Sequence, residues 1–124
     1  MGHPLSGLRV LVVEDNPDNQ TMIETVLRNA GALVETAEDG HSGVEKALGS
    51  YFDCVLMDIQ LPGLNGYDAV RNIRAAGSFT PIIALSAHTM SDEQPRTKKA
   101  GCNDYISKPF KHEVLVEKIL ALRK

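Results

Sequence analysis

Four short apolar runs in this chain end on residue types that can do phosphate and metal chemistry. Glu14 and Asp15 follow Leu8–Val13, and Asp58 follows Cys54–Met57. Ser86 follows Pro81–Leu85, and Ser107 with Lys108 follows Tyr105–Ile106. Three carboxylates packed within a few ångströms repel, and one of them must take a proton unless cations join them. A divalent ion together with Lys108 offsets the charge of the three acids. Oxygen-only ligands from few side chains suit Mg²⁺, which keeps several waters and favours a phosphate oxygen. Ser86 can donate to one phosphoryl oxygen while Lys108 pairs with another. The set is suited to a ligand that carries phosphate.

These residues meet only if the elements beneath them deliver every strand end to one rim. Apolar runs alternate with helical patterns five times, the second run being Leu33–Ala37. The first, third and fourth runs are nearly continuous in aliphatic residues, as in strands covered on both faces of a parallel sheet. Glu35 interrupts the second and the fifth is very short, which places both at sheet edges. Helical spacing runs through Met22, Ile23, Val26, Leu27 and Ala30, with Gly31 as the stop. It recurs at Val44, Ala47 and Leu48, at Ala69, Val70, Ile73 and Ala76, and at Leu115, Ile119 and Leu122. Asn16 is placed to cap the first helix, with Pro17 at its first position. Pro95 fits a helix start better than its interior, so the fourth helical segment begins late, near Gln94, or irregularly.

Alternating βα units give an α/β fold, a single three-layer α/β/α sandwich on a parallel sheet. For the strand order 2-1-3-4-5, ligands bind where the order reverses, between strands one and three. That brings Glu14, Asp15 and Asp58 together. Residues 1–7 read as a leader or linker remnant, and residues 8–122 as the folded domain.

Composition narrows the field. The chain has 124 residues, 43% of them hydrophobic and 23% charged, which fits one ordinary globular domain. A net charge of −3 without a basic patch argues against direct nucleic-acid binding. With no apolar stretch of membrane length, membrane insertion is not expected. Two cysteines, Cys54 and Cys102, lack metal-ligand spacing and fit a reduced, cytoplasmic setting. The four histidines, His3, His41, His88 and His112, form no ligand pattern.

The motifs resemble the receiver domains of two-component response regulators, in a style closest to the receivers of hybrid sensor histidine kinases. The first-strand acids lie in Val12-Val13-Glu14-Asp15-Asn16, and the segment Leu56–Gly66 is similar to the phosphoacceptor loop. Ala84-Leu85-Ser86-Ala87 and Tyr105-Ile106-Ser107-Lys108-Pro109-Phe110 match the remaining two motifs, in order. The resemblance implies a flavodoxin-like fold and Mg²⁺-dependent phosphorylation of Asp58 by a partner phosphohistidine. It makes Asp15, Asp58 and the Gln60 backbone carbonyl metal ligands, with Glu14 acting through metal-bound water. Lys108 and Ser86 hold phosphoryl oxygens, and Ser86 and Tyr105 form the switch. Gln60 and His88 occupy positions that tune the phosphorylated lifetime. A cis Lys108–Pro109 bond aims the lysine, and the responding surface is the fourth helix, fifth strand and fifth helix.

The implied partners are a histidine kinase or histidine phosphotransfer protein upstream, and a downstream protein or fused output domain. Such a domain catalyses its own phosphorylation and dephosphorylation but is not a multiple-turnover enzyme. Two readings compete with it: a degenerate receiver serving only as an interaction module, and a phosphohydrolase of the haloacid-dehalogenase type. The hydrolase wants a second acid two residues after its nucleophile, where this chain has Gln60. A flavin carrier on the same sheet needs a phosphate-cradling loop after the first strand, where this chain has two acids.

Overall fold

The structure, a computed structural model, describes residues 3–61, 63–86, 95, 97–108 and 110–122. Strands β1 (Arg9–Val13), β2 (Leu33–Ala37), β3 (Cys54–Asp58), β4 (Ile82–Ser86) and β5 (Asp104–Ser107) form one sheet. Their order is β2-β1-β3-β4-β5 and every pairing is parallel. Helices α1 (Pro17–Asn29), α2 (Gly40–Gly49), α3 (Gly66–Ala75) and α5 (His112–Ala121) connect or follow the strands. Residues 95 and 97–100 are helical between β4 and β5 and belong to α4.

Period-two alternation divides the aliphatic runs between two cores. Leu11, Val13, Val55, Met57, Ile82 and Ala84 face α2, α3 and the Ala100 end of α4. Val10, Val12, Cys54, Leu56, Ile83 and Leu85 face α1 and α5. Strands buried on both faces need continuous apolar sequence, which is why β1, β3 and β4 read so plainly. The edge position of β2 lets Glu35 reach solvent, where it pairs with Arg9 at 2.7 Å.

Helix α1 begins as its sequence dictates. The Asn16 side chain accepts from the Asn19 N–H, Pro17 supplies the pre-set φ of the first turn, and the helix ends before Gly31 at φ 100°. Pro95 lies in helical conformation, while Gln94, the expected start of that helix, falls outside the described residues.

The expectation that residues 1–7 lie outside the fold needs correction. Leu5 is fully buried in the core beneath α1, and its N–H donates to the Ala30 carbonyl at 2.8 Å. Ser6 and Leu8 close hydrogen bonds with His3 and Leu5, so the segment forms a strap under the end of α1. A single leucine among small and polar residues has no periodicity, so nothing in that stretch marked it as core. Among the described residues no helix is long and apolar enough to cross a membrane.

Candidate metal and phosphoryl site

Every strand end carrying a polar group lies at the carboxyl edge of the sheet, and β1 beside β3 sets the centre of the site. Asp58 and Ser86 are the last residues of β3 and β4 rather than the first of the following loops. Each remains in register, Asp58 with Leu85 and Ser86 with Ser107, so the pleat of the sheet aims both side chains. Glu14 follows β1 directly, its N–H donating to the Ala37 carbonyl at 3.0 Å.

Carboxylate oxygens of Glu14, Asp15 and Asp58 lie within 4.8 Å of one another. Glu14 and Asp58 are buried, at 1% and 3% exposure, whereas Asp15 is exposed. The Lys108 ammonium stands 3.2 Å from Glu14 Oε1 and 3.2 Å from Asp58 Oδ2. Main-chain donors hold the other oxygens: Gln60 N–H to Asp58 Oδ1 at 2.9 Å, and Asn16 N–H to Glu14 Oε2 at 3.2 Å.

The electrostatics follow from this crowding. Burial, then the adjacent Asp58 charge, pushes the Glu14 carboxyl above its ordinary value, against the opposing pull of Lys108 and the Asn16 N–H. Burial alone would lower the Lys108 ammonium, but Asp58 and Glu14 together hold it above its usual value. Among the described residues, one ammonium stands against three carboxylates, which leaves the cluster short of positive charge. Its donors are all carboxylate oxygens, with two of the three acids withdrawn from water, and that set fits Mg²⁺.

The structure therefore gathers Glu14, Asp15, Asp58 and Lys108 as the sequence predicts. Ser86 is fully buried on the neighbouring strand end, and its carbonyl accepts the Lys108 N–H at 2.6 Å. Tyr105 lies along β5, its ring buried and its hydroxyl without a hydrogen-bond partner among the described residues, as is the Ser107 hydroxyl. Gln60 is exposed just past Asp58, while His88 and Pro109 fall outside the described residues.

Two contributors carry no site role in the sequence reading. Gly66 opens α3 directly over the loop that follows Asp58: a methyl group there would sit 2.3 Å from the Asp58 carbonyl oxygen and 2.6 Å from Ile59 Cα. Its place in the Leu56–Gly66 motif was the available signal. Gln20 bonds the carbonyls of Glu14 and Ala37, at 3.0 and 3.3 Å, and nothing in its sequence neighbourhood announces this.

Comparison with known proteins bears on the whole arrangement. The family model of the response regulator receiver domain matches residues 10–120. Sensor protein GacS of Pseudomonas syringae pv. syringae is 39% identical across 97% of this chain, which spans 14% of that protein. Hybrid signal transduction histidine kinase I of Dictyostelium discoideum is 38% identical across 90% of this chain, which spans 7% of it. The receiver domain of sensor histidine kinase PA1611 from Pseudomonas aeruginosa PAO1 was solved with a magnesium ion coordinated in its active site cleft. It superposes with a TM-score of 0.87 at 42% identity, covering 95% of this chain and 98% of that one. Chemotaxis protein CheY4 of Vibrio cholerae gives a TM-score of 0.87 at 31% identity, covering 93% and 98%. The family match reaches all five strands and includes every strand end that bears a polar side chain. The chain thus belongs to the response regulator receiver family and is a receiver domain of two-component phosphorelay signalling.

Proposed function

We propose that Asp58 accepts the phosphoryl group, with Glu14, Asp15 and the Gln60 carbonyl completing a Mg²⁺ site around it. The observation that carries this reading is the position of the Asp58 carboxylate. It is buried at the end of β3, with one oxygen fixed by the Gln60 N–H and the other 3.2 Å from Lys108. An Asp58 oxygen attacks the phosphorus of a phosphohistidine on a kinase or phosphotransfer partner. The P–N bond breaks, an acyl phosphate P–O bond forms, and the imidazole leaves with its electron pair and takes up a proton from solvent. When bound, Mg²⁺ supplies charge neutralisation for the acids and the incoming phosphoryl oxygens. Lys108 pairs with one phosphoryl oxygen and the Ser86 hydroxyl donates to another.

Covalent charge at this rim then biases Ser86 and Tyr105 toward a second arrangement, read by a downstream protein or a fused output domain. Gln60 and His88 set how readily water removes the group. The domain turns over its own phosphoryl group rather than an external substrate, in a reduced cytoplasmic setting.

Incubation with acetyl phosphate and Mg²⁺, followed by intact mass measurement, tests the proposal. The expected adduct is about 80 Da, one phosphoryl group, lost in Asp58→Asn and without added Mg²⁺. An adduct that persists in Asp58→Asn would move the acceptor elsewhere. No adduct under any donor would leave an interaction module, and multiple turnover of a phosphate ester would indicate a hydrolase.

A further inference from the structure

We propose that Gln20 is a positioning residue for the metal ligands at the end of β1, an inference that rests on the acid cluster being a Mg²⁺ site. Its carboxamide nitrogen donates to the Glu14 carbonyl at 3.0 Å and to the Ala37 carbonyl at 3.3 Å. Both partners are carbonyl oxygens, so only the NH₂ end of the amide can serve them. Gln20 sits in the first turn of α1, where its own N–H donates to the Asn16 carbonyl at 2.9 Å. One side chain thus ties α1 to the carboxyl ends of β1 and β2.

The Glu14 carbonyl belongs to the peptide that joins Glu14 to Asp15. Fixing that oxygen fixes the plane of the peptide, and with it the direction in which Asp15 leaves the backbone. Glu14 has other restraints: burial, the Asn16 N–H at 3.2 Å and Lys108 at 3.2 Å. Asp15 is exposed, and its carboxylate lies within reach of those of Glu14 and Asp58. An exposed ligand is placed by its backbone, and here Gln20 holds the backbone. Groups that orient metal ligands from outside the coordination sphere typically change metal affinity by about 10–100-fold when removed.

The test is calorimetric titration of Mg²⁺ alone into the full chain. Gln20→Met keeps the length of the side chain and removes the donor, and is expected to weaken Mg²⁺ binding by about tenfold. Gln20→Ala makes the same measurement should the methionine variant fail to fold. Ile23→Val, a core change on the same helix, is expected to lower Tm while leaving Mg²⁺ affinity unchanged. In an Asp15→Asn background, the Gln20 substitution is expected to have no further effect, because the ligand it places is already altered. Unchanged affinity in the Gln20 variants, an equal loss in Ile23→Val, or full additivity with Asp15→Asn overturns the positioning role. If the wild type takes up no Mg²⁺, the metal reading itself falls and the inference with it.

Discussion

Lys108 reaches two buried carboxylates with one ammonium, and each of its contacts is 3.2 Å long. Removing the charge while keeping the stem, as in Lys108→Met, leaves Glu14 and Asp58 facing each other with no cation among the described residues. Breaking a buried pair costs about 3–5 kcal/mol, and partial solvent access to Lys108 reduces that to about 1–3 kcal/mol here. Urea unfolding at pH 7 without metal checks it, and an unchanged midpoint would contradict the pairing. The thiols give a pH prediction. Burial pushes Cys54 up to about 12 and Cys102 up to about 11. The folded state therefore keeps protons that the unfolded state releases, so this contribution to stability is intact below the ordinary thiol value. It is lost as pH rises toward 11–12, by about 1.4 kcal/mol per pH unit for each thiol. Wild type should lose stability faster than Cys54→Ala between pH 9 and 11, and thiol reagents should react slowly with the native protein at pH 8. At this scale the charged residues were legible, because an acid or lysine closing an aliphatic strand has few uses other than chemistry. Gln20 was not, since its partners are main-chain carbonyls and those leave no mark in a sequence.

Elements place the side chains, and their close approaches are as demanding as the site. Where α3 starts, Gly66 lies against the Asp58–Ile59 peptide with no room for a methyl group. Gly66→Ala must push backbone against backbone, which costs about 1–3 kcal/mol as overpacking and shifts the peptide carrying Asp58. Lower Tm together with slower phosphorylation by acetyl phosphate is the expected pair of results. Lower Tm at full phosphorylation rate would show that the displacement is absorbed by α3 instead. Periodicity revealed the existence of these elements and their succession along the chain, and the broken or short runs marked the edge positions of β2 and β5. Boundaries were less legible. Asp58 and Ser86 read as residues after their strands, yet both remain paired, because parallel register continues as long as a neighbouring strand offers partners.

At the level of the whole molecule, the three layers follow from which face each aliphatic residue takes, and both cores assemble mainly from residues the sequence marked as strand or helix, with Ala32, Phe52, Ile59 and Leu61 joining from the connections. Leu5 is the most remote addition. It fills the floor of the core beneath α1 from a segment that looked detached, and the Ala30 carbonyl anchors it. Leu5→Ala is expected to cost about 2–5 kcal/mol, as for other large-to-small core changes, with Mg²⁺ affinity and phosphorylation rate per folded molecule unchanged. Calorimetric unfolding and phosphorylation assays on the same preparation check both halves, and a rate that falls with Tm would refute the separation. The strap lies by the amino ends of the strands, whereas the acids lie at their carboxyl ends. Lesions in it would therefore act on dosage: a cell carrying one would degrade more of the protein, and signal weakly through scarcity while each surviving copy worked at full speed.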